Sequence, residues 1–285
     1  MARYHRYRGG KFEALDRPVV EERPLAVYVN GVELATLMCT PSKVEYLVVG
    51  FLCFEGVVPG PGDIESLEAH PDAGVVDVRV RGPFHPPRRK IFTSGCTGGI
   101  TFSLNGGGVA PMTGEHPLDP RRVLPLMKEL FARATSYQQS RGIHAAALAD
   151  AVEGVLLVAE DVGRHNALDK ILGEALLTGV RTDGRILLST GRISTEMLRK
   201  GAFMRTPFII SRTSPTGASI ELAKRFGLTL IGYVRGDEFN VYSHPERLVA
   251  APSPPPGAAA EPDKENPCAE PGPLGLTPAP ATGRA

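Results

Sequence analysis

The chain lacks a charge excess of either sign, a closely spaced cysteine pair and a long apolar run, and each absence removes a class of function. Over 285 residues, 32 Lys and Arg almost cancel 31 Asp and Glu, leaving a net charge of +1. That balance gives no broad electrostatic attraction to nucleic acid or to a membrane surface. The four cysteines, Cys39, Cys53, Cys96 and Cys268, lie far apart with no CxxC pair. They read as reduced thiols rather than a disulfide framework or a zinc cage. No apolar stretch is long enough to cross a bilayer, and Met1 to Lys11 is basic without the apolar segment of a secretory signal. A cytoplasmic protein is expected, with neither nucleic acid nor membrane as partner, and its Arg/Tyr-rich start is expected to be a short solvated tail.

Leu25 to Val29 and Val32 to Met38 are short apolar runs joined by Asn30-Gly31. That pair suits the positive φ angles of a type I′ turn, so a hairpin is expected. Thr40 as N-cap with Pro41 at the first helical position predicts a helix start. Val44, Leu47, Val48, Phe51 and Leu52 then recur at helical spacing, and Gly56 ends the element. Cys53 falls on this helix, where packing is the default role. Val75 to Val80 alternates like a strand, and Ile91 to Thr93 leads into the segment around Cys96. Asp119-Pro120 restarts a helix whose apolar residues are Val123, Leu124, Met127, Leu130, Phe131 and Ala134.

From Gly154 onward, short apolar strands alternate with amphipathic segments. The strands are Val155 to Ala159, Ile186 to Ser189, Phe208 to Ser211 and Leu228 to Tyr233, with helices near 167–177, 195–204 and 216–226. This rhythm signals βα units and a largely parallel sheet, hence an α/β fold. The expected organisation is an N-terminal extension over 1–22, a β-rich domain over 23–110, an α/β domain over 111–249 and a disordered Pro/Ala-rich tail over 250–285. Cys268 lies in that tail and is expected to be incidental.

Loops that follow strands of one direction emerge along one rim, where open α/β sheets bind ligands. Arg164, Arg192, Arg212 and Arg235 each fall in one of the four such loops, beside Gly, Ser or Thr. Guanidinium forks match phosphate oxygens, so a phosphate-bearing ligand is the simplest common explanation. Asp161, Asp237, His144 and His165 share these surroundings and suit acid/base work. Asp161 serves equally as a cap or a partner of Arg164, and either histidine as a satisfied polar group. No spacing meets a zinc rule, so no metal site is expected.

The most distinctive stretch is Phe92-Thr93-Ser94-Gly95-Cys96-Thr97-Gly98-Gly99-Ile100-Thr101-Phe102. A cysteine of this kind either packs as a small buried hydrophobe or is presented by its glycines as an accessible thiol. Neighbouring glycine N–H groups stabilise a thiolate, which favours the reactive reading of Cys96.

Several long runs resemble the signatures of the FdhD family, the formate dehydrogenase accessory sulfurtransferases. They are Glu160-Asp161-Val162-Gly163-Arg164-His165-Asn166-Ala167-Leu168-Asp169-Lys170, Ser189-Thr190-Gly191-Arg192-Ile193-Ser194-Thr195-Glu196-Met197, and Ser211-Arg212-Thr213-Ser214-Pro215-Thr216. Arg235-Gly236, Phe239-Asn240-Val241-Tyr242, Val29-Asn30-Gly31, Cys39-Thr40-Pro41 and Gly50-Phe51-Leu52 also fit, so that the resemblance runs from about Glu22 to His244.

The resemblance implies a cytidine deaminase-like mixed/parallel sheet with flanking helices and a smaller β-rich N-terminal part. It implies a carrier that takes sulfur from a cysteine desulfurase as a persulfide on Cys96. The sulfur then passes to a molybdenum or tungsten bis-pyranopterin guanine dinucleotide cofactor, written Mo-bis(molybdopterin guanine dinucleotide), before insertion into formate dehydrogenase. It further implies contacts to the guanine dinucleotide from Phe239, Asn240, Val241, Tyr242, Ser243 and His244, GDP as a surrogate ligand, and a homodimer. Asp161, Arg164, His165, Arg192, Arg212 and Arg235 complete the expected binding set. Many relatives carry CxxC in this loop, whereas Gly99 stands at the second position here. A persulfide needs one sulfur only, so Cys96 remains able to carry it.

Two rivals stay open. A zinc deaminase requires H-x-E and P-C-x-x-C, and the run Gly142-Ile143-His144-Ala145-Ala146 has no glutamate in place. A non-catalytic chaperone that binds and delivers the guanine dinucleotide cofactor would leave Cys96 merely structural.

Overall fold

The computed structural model describes residues 2–70, 72–82, 84, 90–92, 100–102 and 110–250. The first strands, β1 (Ala2–Arg8) and β2 (Lys11–Arg17), form an exposed antiparallel hairpin, so the basic start is ordered as two strands rather than a tail. β3 (Arg23–Val29) and β4 (Val32–Cys39) form the expected hairpin, turned by Asn30 at φ 48° and Gly31 at φ 80°. With β5 (Ile64–His70) and β6 (Val75–Val80) they build a four-stranded sheet ordered β4-β3-β6-β5.

Helix α1 (Val44–Phe54) covers this sheet, but the expected N-cap at Thr40 is overturned. The helix starts three residues later, after Lys43 in the left-handed region at φ 54° and without a side-chain cap. Tertiary contacts outcompete the cap. The Thr40 hydroxyl accepts a hydrogen bond from the Val162 N–H at 3.2 Å, and Lys43 Nζ donates to Glu174 and to the Val158 carbonyl.

Strands β7 (Lys90–Phe92) and β8 (Ile100–Phe102) pair antiparallel. Cys96 falls between them in sequence, outside the described residues, as does Cys268. Asp119 caps the next helical segment by accepting from the Arg121 N–H. There follow α2 (Val123–Arg133), α3 (Thr135–Ser140), β9 (His144–Asp150), β10 (Gly154–Asp161), α4 (Arg164–Thr178), β11 (Ile186–Ser189), α5 (Thr195–Phe203), β12 (Phe208–Ser211), α6 (Gly217–Phe226), β13 (Thr229–Arg235) and β14 (Glu238–Val241).

These strands make a six-stranded mixed sheet ordered β10-β9-β11-β12-β13-β14. The α/β expectation holds, with two strands, β9 and β14, beyond those expected. β9 separates β10 from β11 and is antiparallel to both, while β14 closes the far edge antiparallel to β13. β9 reads His-Ala-Ala-Ala-Leu-Ala-Asp, without the β-branched residues that mark strands in sequence. Small side chains suit it because both faces are covered.

Alternate residues of the sheet serve two cores. Ala146, Leu148, Leu187, Ile209 and Leu230 pack with α1, α4 and the four-stranded sheet, whereas Ala145, Ala147, Leu188, Ile210 and Ile231 pack against α2. Helices α1 and α4 approach through Gly50 and Gly173, where a Cβ would overlap the Asp169 and Tyr46 carbonyl oxygens respectively. Met1–Ala250 forms one compact unit.

Candidate functional site

Because β9 reverses direction between β10 and β11, strands β10, β11, β12 and β13 all run the same way. Their C-terminal ends therefore share one rim. His144 opens β9 at that rim, directly opposite Asp161 in the register.

The rim is tied together by its own hydroxyls. Ser189 Oγ accepts from the Gly191 N–H at 3.1 Å, and Ser211 Oγ donates to the Gly191 carbonyl at 2.7 Å. Thr190 Oγ1 accepts from the Ala145 N–H at 3.0 Å. A side chain at Gly191 would crowd Arg164 Cβ at 3.1 Å and His144 Nδ1 at 3.2 Å, so this glycine lets both approach.

Asp161 is fully buried and saturated with donors. Its Oδ2 meets Lys170 Nζ at 2.7 Å and the Thr40 N–H at 3.1 Å. Its Oδ1 takes the Gly163 N–H at 2.8 Å and Asn166 Nδ2 at 2.9 Å. The carboxylate thereby organises the start of α4 from two residues upstream, since Gly163 at the N-cap has no side chain to do so. Lys170, equally buried, also donates to the Thr40 and Glu160 carbonyls at 3.0 and 3.1 Å.

The arginines fall into two groups. Arg164 is buried in the first turn of α4 beside His165, and exposed Arg192 follows β11. Burial, together with the charges of Arg164 and Arg192, pushes the His144 imidazole below its ordinary value. Burial above all, then Lys200, Arg164 and His144, pushes His165 down to about 2, so its ring is neutral. Its Nε2 is 3.4 Å from Glu196 Oε2. Behind it, Lys200 pairs with the buried Asp169 carboxylate and lies 4.7 Å from the Phe54 ring centre. Burial pushes the Asp169 carboxyl up to about 6.

Arg212 and Arg235 form the second group, on the α2 side of the sheet. They line a cavity of about 580 Å³ with Lys128, Arg141, Phe131 and Tyr137. None of the cavity's lining residues is acidic. Lys128, Tyr137 and Arg141 were not singled out from sequence, and Phe131 was counted with the apolar face of its helix. Charge and aromatic content alone did not reveal that α2 and α3 form a wall over the ends of β12 and β13.

The resemblance-derived run Phe239 to His244 extends along the edge strand β14 and the turn beyond it. Phe239 and Val241 pack against the α2-side core, and Tyr242 against the other. Ser243 is buried, donating to the Leu228 carbonyl and accepting from the Leu230 N–H, and His244 contacts Glu246 and the Lys224 carbonyl. Ser243 and His244 thus lie by the start of β13, at the opposite end from Arg235. Asp237 lies exposed in the β13–β14 turn.

The described cysteines are both buried. Burial pushes the Cys39 and Cys53 thiols up to about 12, which leaves them unreactive at neutral pH. Cys53 packs as expected.

The FdhD/NarQ family model matches residues 20–249. The chain belongs to the FdhD/NarQ family. It is 38% identical over 251 residues to the sulfur carrier protein FdhD of Listeria innocua, covering 85% of this chain and 96% of that protein. The sulfur carrier protein FdhD of Bacillus subtilis is 36% identical over 252 residues, covering 85% of this chain and 95% of that one. Among solved structures, a proposed formate dehydrogenase accessory protein from Desulfotalea psychrophila superposes with a TM-score of 0.71 at 27% identity, covering 87% of this chain and 98% of that one.

Proposed function

We propose that this protein is a sulfur carrier serving formate dehydrogenase. Its membership of the FdhD/NarQ family over residues 20–249 carries the reading. The thiol chemistry supports it, because Cys39 and Cys53 are buried and held protonated, which leaves Cys96 as the family-region cysteine available to react.

The Cys96 thiolate attacks the outer sulfur of a cysteine desulfurase persulfide. The desulfurase S–S bond breaks, its thiolate leaves, and Cys96 holds a persulfide. The cargo is the metal bis-pyranopterin guanine dinucleotide, gripped through its phosphates by rim arginines and presented to Cys96. The metal gives two electrons to the terminal sulfur, which becomes its sulfido ligand, and Cys96 is released as a thiolate. No side chain needs to supply a proton in either step, so positioning provides most of the rate. The working form is a homodimer, and the loaded cofactor goes on to formate dehydrogenase.

The test is mass spectrometry after incubation with a desulfurase and cysteine. The Cys96 peptide gains one sulfur, and Cys96→Ala gains none and fails to activate formate dehydrogenase. Activation by Cys96→Ala would sink the sulfur-carrier reading. Retained GDP binding without any sulfur gain would point to the non-catalytic chaperone instead.

A further inference from the structure

The β1–β2 hairpin takes no part in the sulfur chemistry, and its surface is uncovered. No residue of either strand is buried, although a two-stranded hairpin standing alone in water is only marginally stable. Gly9 and Gly10 turn it at φ 58° and 81°, so that Arg8 stands directly opposite Lys11 at the tip. The hairpin carries five Lys and Arg against two carboxylates, in a chain whose net charge is +1. Glu13, the acid on the face of Arg8 and Lys11, is already paired with Arg6 at 2.8 Å. That face of the tip is therefore cationic.

The four-stranded sheet offers the complement. One of its faces, with Val27, Leu67, Val76 and Val78, packs into the core. On the other, the register sets Glu33 beside Tyr28, Tyr28 beside Asp77 and Asp77 beside Glu68, a row that crosses all four strands. The three carboxylates are exposed and Tyr28 is half-buried. Arg79 shares this face two residues further along β6, which leaves acid in excess. Glu68 and Asp77 thus oppose each other as Arg8 and Lys11 do. Like charges directly opposite destabilise a strand pair, so each pair costs stability until the other sign covers it. None of these four groups forms an ion pair with another described residue, so tip and row do not meet within one chain.

We infer that the hairpin tip of one chain docks on this acidic row of a second copy, with Arg8 and Lys11 against Asp77 and Glu68. The same contact made in both directions closes a two-fold dimer. The inference rests on the homodimer of the proposed function and names the surface that forms it.

The experiment is sedimentation velocity of the full chain over a dilution series. Arg8→Glu with Lys11→Glu reverses the tip, and Glu68→Lys with Asp77→Lys reverses the row; all four positions are exposed. The unaltered chain is expected to be dimeric, and each reversed variant to dissociate roughly a hundredfold more readily. An equimolar mixture of the two variants recovers the dimer, because each chain supplies the charge the other has lost. Raising salt from about 0.05 to about 0.5 M weakens the unaltered dimer, a measurement that needs no variant to fold. Unchanged dimer affinity in either variant, folded variants whose mixture stays monomeric, or a native dimer indifferent to salt overturns the interface and leaves the sulfur-carrier reading standing. A monomeric unaltered chain overturns the interface and the homodimer together and leaves the tip to an acidic partner other than this chain, whereas sulfur loading on Cys96 is read independently.

Discussion

Asp161→Asn exposes how the rim is held. In the native chain each Asp161 oxygen receives two donors, Lys170 Nζ and the Thr40 N–H on one, the Gly163 N–H and Asn166 Nδ2 on the other. An asparagine amide must turn its NH₂ toward one of these pairs, so donor faces donor in either orientation. It also leaves the fully buried Lys170 ammonium with carbonyl partners and no countercharge. Removing one partner of a buried pair costs about 3–5 kcal/mol. For a chain of this size that corresponds to a fall in melting temperature of roughly 6–20 °C. Thermal unfolding followed by circular dichroism measures it. The double variant Asp161→Asn with Lys170→Met is expected to lose no more than the single, because the uncompensated charge has gone. A single variant that melts within about 2 °C of wild type, or a double whose loss equals the sum of both singles, refutes the claim that this ion pair secures the start of α4.

Replacing His165 by Gln removes a group that is neutral in the fold. The folded value near 2 lies below the ordinary 6.5, so the unfolded chain binds the extra proton and stability falls as pH drops from about 6.5 toward 2. The variant should lose that dependence, flattening the slope of urea-unfolding free energy between pH 6 and 4 by up to about 1.4 kcal/mol per pH unit. Asp169 works in the opposite sense. Its raised folded value favours the protonated carboxyl, so its contribution declines as pH rises from about 4 to about 6, and Asp169→Asn should steepen the net rise of stability over that interval. Gly50→Ala and Gly173→Ala each force the α1–α4 contact apart against backbone carbonyls and should cost about 1–3 kcal/mol or more in chemical denaturation, whereas Gly60→Ala, which meets nothing within 4 Å, should be nearly neutral. Cys39→Ser should leave desulfurase-dependent sulfur loading intact, since burial already holds that thiol protonated; loss of loading in a folded Cys39→Ser protein would contradict it.

Much of the fold was legible because its signals are local. Asn30-Gly31 fixes its turn through its own φ preferences, and the strands at Ile186 and Phe208 announce themselves as short apolar runs bounded by Gly, Ser and Thr. β9 was hidden because an alanine run has no strand preference of its own; it is a strand because Leu148 and its small neighbours fill both cores at once. Thr40 misled for the opposite reason. Its local signal for a cap is strong, but Val162, Asp161 and Lys170 claim its hydroxyl, N–H and carbonyl through contacts more than a hundred residues away in sequence.

The same division runs through the rim. That four strands end on one edge was readable from the spacing of apolar runs, and it survives the insertion of β9 because one reversed strand between two others restores their common direction. Which arginines share a chamber was not readable, because that depends on the sheet face each loop leaves by. Arg164 starts a helix on the α1 side and is built into the frame, whereas Arg212 and Arg235 emerge beside α2 and keep guanidinium edges at the cavity. The carboxylates follow the same logic. Asp161 spends its charge on Lys170 and on backbone donors, and Asp169 on Lys200, both behind the surface. With Asp161 and Asp169 each paired with a lysine behind the surface and the His144 and His165 rings held toward neutrality, the cavity at the rim is lined by arginines and Lys128 without an acid, which favours an anionic cargo there across neutral pH.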